Sequence, residues 1–143
     1  WVMGAARWGD EVPGMYTVQE ISRMSDPEER KYRSVHYIRG ICSMFYLKEA
    51  MEWADAHGGI AGPNIRVGMY ERERPVPAGL EGVCLPGKWT QDDHRGINKV
   101  LVYRGHVQGA TDAPIAELID SGVIRLQRIY EAEIPRRSEW LGM

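Results

Sequence analysis

Between Ser34 and His57 the apolar residues Ile38, Ile41, Cys42 and Phe45, then Leu47, Met51 and Ala54, recur at three- and four-residue spacings, and Gly58-Gly59 follows at once. That period places them on one side of an α-helix, and paired glycines are a strong stop signal. The middle of this segment, Ile41-Cys-Ser-Met-Phe-Tyr-Leu47, is apolar almost all round. A helix of that kind is covered on both flanks, as when it packs on a sheet beside other helices. The remainder of the chain therefore has to supply cover for a long central helix.

On either side the pattern is mixed. Val2–Ala6 reads as a short buried strand, and Trp8–Gly14 as the loop leaving it. Met15–Ile21 alternates as a second strand does. Ser25 and Asp26 before Pro27, with acids after it, predict a short helix to about Tyr32. Pro63 opens a second helix, 64–71, and Pro75 and Pro77 end anything helical. A short strand is expected at 82–85, a turn at 89–96, and a strand at 99–104. A short helix follows at 112–119, then an extended stretch at 123–134. This order argues an α/β fold, with no internal repeats.

The chain of 143 residues is long enough for a domain with a sizeable core. Its 18 basic and 20 acidic residues leave no electrostatic footprint for nucleic acid or an anionic membrane surface. No apolar run reaches the length of a membrane-spanning helix, and no signal-peptide pattern is visible at the start. Cys42 and Cys84 are too few and too far apart for a metal site. Cys42, in an apolar run, reads as a small buried hydrophobe; a disulfide to Cys84 would fit an oxidising compartment.

Asp92-Asp93-His94 is the densest group of ligand-type residues. Adjacent turn residues cannot all face one ion, and no second His or carboxylate stands at helical spacing from them, so no metal is expected. Asp side chains in turns bond nearby backbone N–H groups, and Gly96 can supply a positive φ before the strand. His36, His57 and His106 are scattered, with His57 placed to cap a helix end. GxSxG, HExxH, P-loop and GxGxxG motifs are absent, so the nucleophilic, zinc-protease and nucleotide readings have no support in the sequence. An enzyme on an α/β scaffold ranks last among the alternatives, because it needs a clustered acid/base set that this chain lacks, and no cofactor is expected. Five tryptophans and seven tyrosines against one phenylalanine favour rings with polar handles, which suit a partly wet binding cleft.

Trp89-Thr-Gln-Asp-Asp-His-Arg-Gly96, running into the strand Asn98-Lys-Val-Leu-Val-Tyr103, resembles a corner of the type I periplasmic solute-binding proteins. In that branched-chain amino-acid-binding kind, a T-x-x-D-H-x-G turn precedes a V-x-V/I-Y strand. An upstream helix there reads Y-x-x-G…E-A, as Tyr37-Ile-Arg-Gly40 and Glu49-Ala50 do here, and the ending resembles Pro135-Arg-Arg-Ser-Glu-Trp-Leu-Gly142. The resemblance spans nearly the whole chain but matches only the last third or so of the family. It implies a two-lobed α/β fold with three-layer α/β/α lobes joined by crossing hinge strands. Residues 1–14 would be a second-lobe strand and ligand loop, 15–104 mainly the C-terminal half of the first lobe with a hinge crossing, and 105–143 a return segment. The N-terminal part of the protein, with a signal peptide, is expected to precede Trp1.

The implied function is the extracytoplasmic solute-binding component of an ABC importer. It would capture a small amino-acid-like, aromatic or amide solute by hinge closure and hand it to a permease. Asp10 matches the family's acidic position that meets a ligand ammonium, and Glu11 is its neighbour. Trp8 departs from the small residues common there and suits a flat molecule. Tyr37 matches the aromatic that closes the cleft, and Arg39 is a candidate for a ligand carboxylate. Gly14–Val18 and Arg23–Ser34 are the expected hinges, with Gly14 giving local freedom. An isolated half would expose sheet edges and apolar surface, so association with the N-terminal part or with a second copy is expected. The same fold serves as a sensor domain in receptors; such a receptor would continue past Met143, where Glu139-Trp-Leu-Gly-Met reads as an end.

Overall fold

A computed structural model describes residues 6–28 and 33–135, together with the backbone of 2–4. The elements in chain order are β1 (Val2–Gly4), α1 (Met15–Ser25), α2 (Val35–Ala56), α3 (Gly62–Glu71), β2 (Lys99–Val107), α4 (Ile115–Asp120) and β3 (Ile124–Glu133). The strands form an antiparallel sheet in the order β1-β2-β3. Val2 faces Tyr103 across β1 and β2; β2 and β3 pair from Lys99↔Glu133 to Val107↔Ile124, with a register shift at Val102/Tyr103.

Helix α2 forms as its spacing requires. Ile38, Ile41, Cys42, Tyr46, Ala50 and Ala54 are its buried line, and Gly58 and Gly59 end it with φ of 109° and 100°. His57 donates at the helix end, its Nδ1–H 2.7 Å from the Trp53 carbonyl oxygen. Small residues on α2 let α3 approach closely: a Cβ on Gly68 would lie 2.4 Å from the Ala50 carbonyl oxygen. The expected coverage of both flanks is not met, because Met44 and Leu47 on the outer side are 63% and 38% exposed.

The alternation at 15–21 is corrected: Met15–Ser25 is a helix. Met15, Val18 and Ser22 are buried and Ile21 is partly so, a three-to-four spacing that lays one face on the core. Tyr16 is exposed. The helix stops at Asp26, whose N–H donates to the Ser22 carbonyl at 3.0 Å, because a residue before proline disfavours helical backbone. Pro27 and Glu28 lie in a turn, and the rest of the short helix expected to about Tyr32 lies outside the described residues.

Gly14 also plays a different part from the expected hinge. Its backbone lies against Leu80, where a Cβ would come within 2.5 Å of the Leu80 carbonyl carbon, and its N–H donates to the Glu81 carbonyl at 2.9 Å. It is a point of close approach, not of freedom. The segment at 82–85 is a pair of turns in place of a strand, with Val83 and Cys84 N–H groups both 3.1 Å from the Leu80 carbonyl. Left-handed Gly79 and Gly82, φ 76° and 79°, coil the chain there. Leu80, Val83 and Pro77 are fully buried. A disulfide joins Cys84 to Cys42 of α2, with Cα atoms 5.6 Å apart. The core is therefore α1, α2 and this turn, with Ala6 completing it.

Candidate ligand-binding site

The loop after β1 and the start of α2 meet at an aromatic corner. The Trp8 and Tyr37 rings stand edge to face, centroids 6.4 Å apart and planes at 79°, a favoured arrangement of ring quadrupoles. Arg33 lies over the Tyr37 ring, 4.6 Å from its centroid. Its Nε donates to Ser22 Oγ at 2.8 Å, and Nη2 is 3.7 Å from Asp26 Oδ2. The end of α1 thereby holds Arg33, and Arg33 holds the ring. Trp8 and Tyr37 are both half-buried at the rim of the core.

Asp10 points back into the protein. Its carboxylate accepts from the Arg7 backbone N–H at 2.8 Å, from Arg7 Nε at 3.1 Å and from the Tyr103 hydroxyl at 3.3 Å. Arg7 Nη1 also donates to the Leu126 carbonyl at 3.3 Å. Asp10 thus joins the loop to β2, and Arg7 joins it to β3. Burial, and then the neighbouring Asp10 charge, push the Tyr103 hydroxyl up to about 12. Glu11 is exposed in the same loop. Arg39 is exposed on α2, two residues from Tyr37, and residues at that spacing do not share a helix face. Of the five residues singled out from sequence, the structure brings Trp8 and Tyr37 together, gives Asp10 partners inside the chain, and leaves Glu11 and Arg39 at the surface.

A second cluster carried no signal in the sequence. Arg72, its side chain 4% exposed, is 3.0 Å from Glu49 Oε2 and donates to the Arg74 carbonyl at 2.9 Å. Its guanidinium lies 4.4 Å from the Tyr46 ring centroid and 5.6 Å from that of Trp89. Glu49 Oε1 accepts from the Ala78 N–H at 3.0 Å, and the Tyr46 hydroxyl donates to the Leu85 carbonyl. Burial pushes Tyr46 up to about 12, with Arg72 opposing and Glu49 adding. Beside this cluster a groove of about 720 Å³ runs between α2 and residues 71–78, lined among others by Phe45, Glu52, Trp53, His57, Glu71 and Arg74. Trp53 and His57 stack there at 4.0 Å. Glu49 and Arg72 are 23 residues apart, with the end of α2 and the whole of α3 between them, so neither a period nor a motif announces the pair.

The turn at 89–96 has the structural role expected of it. Asp93 Oδ1 accepts from the Arg95 backbone N–H at 3.0 Å, and Thr90 Oγ1 accepts from the Asp93 N–H at 3.0 Å. The Asp93 carboxylate holds the Arg95 side chain as well, at 2.9 and 3.0 Å, and this bond raises the Arg95 pKa. Gly96 has φ 71°, and any Cβ there would lie 2.3 Å from the Trp89 ring. His94 Nε2 is 2.9 Å from the Tyr70 hydroxyl, away from any carboxylate set. Among the described residues no three His, Cys, Asp or Glu side chains are grouped to hold a metal ion, and no helix is long and apolar enough to cross a membrane. Comparison of the chain with protein-family models, with curated proteins and with solved structures gives no match.

Proposed function

We propose that the chain is the C-terminal portion of an extracytoplasmic solute-binding protein of the type I periplasmic kind. It captures a small amino-acid-like, aromatic or amide solute between two lobes and delivers it to the permease of an ABC importer. The observation that carries this reading is the meeting of Trp8, from the loop after β1, with Tyr37 from the first turns of α2. Two partly exposed rings held at right angles form a wall for a flat or alkyl-bearing solute. Trp8, Tyr37 and the exposed Glu11 take the direct contacts, Glu11 as the carboxylate for a ligand ammonium. Asp10, bonded to Arg7 and Tyr103, positions the loop.

The Cys42–Cys84 disulfide supports an oxidising compartment. Closure moves α1 and α2 as one piece, because Arg33 ties the start of α2 to Ser22 and Asp26. The ligand shifts an open–closed equilibrium by touching both lobes. Titration calorimetry against single amino acids, aromatic acids and simple amides tests this. We expect saturable binding of one class, lost in Trp8→Ala and weakened in Tyr37→Ala with helicity retained. Absence of binding across the panel, or binding indifferent to Trp8→Ala, contradicts it.

A further inference from the structure

We propose that the outer face of α2 pairs, antiparallel, with the same face of a second copy of this chain. Met44, Leu47, Met51 and Ile60 line a groove of about 370 Å³ on that face, together with Lys48, Glu52 and Asp55. Met44 and Ile60 are 63% and 57% exposed, a concentration of bare apolar surface on a helix whose opposite side carries the buried line from Ile38 to Ala54. Lys48 and Asp55 lie seven positions apart, two helical turns, so they share one stripe with Met44 and Met51.

The order of charges along that stripe makes the face complementary to itself. A twofold axis passing between Met51 and Glu52 sets Lys48 of each copy against Asp55 of the other. The same axis sets Met44 against the Gly59–Ile60 turn and brings the two Met51 side chains together. Such an isologous pairing is the commonest closed symmetry for a second copy. Lys48 already donates to Glu52 at 2.5 Å, and an ammonium has three donors, so one bond within the helix leaves two for the partner's carboxylate. From Met44 to Asp55 the helix advances about 17 Å. A single pair of helices in contact over that length buries less than the roughly 1,200 Å² of a standard interface, so the dimer is weak and concentration-dependent.

Sedimentation velocity on the full chain, from about 10 µM to about 1 mM, reads the association directly. The expected result is a shift from the 16.3 kDa monomer toward twice that mass. Lys48→Glu and Asp55→Lys each place like charges opposite one another and weaken the dimer by about tenfold. The double variant Lys48→Glu/Asp55→Lys restores it, since the pairs re-form with their signs exchanged. Far-ultraviolet circular dichroism on each variant keeps helix loss separate from loss of pairing. A monomer at every concentration assigns the groove to a different occupant and overturns the proposal. So does a dimer unaffected by either single change, or a double variant no tighter than the weaker single one.

Discussion

The block built from α1, α2, α3 and the turn at 77–87 contrasts with the far half of the β2–β3 hairpin. In the block, fully buried Val18, Ile38, Leu80 and Val83 are crossed by covalent and ionic ties: Cys42 to Cys84, Arg72 to Glu49. In the hairpin, only Leu101 and Tyr103 of β2 are buried, and from Arg104 outward both strands are largely exposed. Its far half is held chiefly by its own ladder of backbone bonds and by short α4, whose Leu118 is buried. The block gains stability from area removed from water and from constraint of the unfolded chain; the hairpin tip gains little from either. Asp10, Arg7 and Tyr103 stand at the junction, so the loop carrying Trp8 is anchored to both regions.

Opening the disulfide breaks this contrast most strongly. It closes a loop of 42 residues, worth about 4 kcal/mol in unfolded-state entropy. Chemical denaturation of Cys42→Ala/Cys84→Ala is expected to show a loss of about 2–4 kcal/mol. Next is Arg72→Met, which strands the partly buried Glu49 beneath it; a loss of about 3 kcal/mol is expected. Recovery in Arg72→Met/Glu49→Met, measured by the same denaturation, distinguishes the stranded charge from lost packing. Gly68→Ala pushes a methyl group against the Ala50 carbonyl, and about 2 kcal/mol is expected from the forced separation of α2 and α3. Smallest is Tyr130→Ser on β3, at a residue that is 63% exposed; the expected change is within about 0.5 kcal/mol.

The alkaline limb of stability sharpens the same comparison, since Tyr46 belongs to the block and Tyr103 to the junction. Both are pushed up to about 12 in the folded protein, against about 10 in the unfolded chain. Their contribution is present in full below pH ~10 and is lost as pH rises toward ~12, because the unfolded state ionises first. Denaturation midpoints measured through that window are expected to be flat and then to fall. Tyr46→Phe should flatten the descent, apart from the separate cost of its lost hydrogen bond to Leu85.

The sequence showed α2 and its end plainly, since period, apolar run and paired glycines agree there. The turn at 89–96 was legible for a similar reason: Asp93 and Gly96 each have one strong local preference, and both were met. Met15–Ile21 was misread because its few apolar residues fit a two-residue and a three-to-four-residue period alike, and the tertiary face under Met15, Val18 and Ser22 decided between them. Val83-Cys-Leu85 is too short a run to hold a strand against Gly79 and Gly82. The disulfide and the Arg72–Glu49 pair are long-range facts, fixed by how α2 meets the turn and α3. For the candidate site, residue type sufficed to pick out Trp8 and Tyr37, whereas the inward turn of Asp10 depended on Arg7 and Tyr103 arriving from elsewhere.

Native-state hydrogen exchange by NMR compares the two regions within one sample. Amides of α2 from Ile41 to Ala54 are expected to exchange only through global unfolding, and to speed up by orders of magnitude when the disulfide is reduced. Those of β2 and β3 beyond Tyr103 are expected to exchange through local opening, at rates that reduction leaves nearly unchanged. Equal protection in the two regions, or a hairpin tip that responds to reduction as strongly as α2, would contradict the division between a tied block and a hairpin standing on its own ladder.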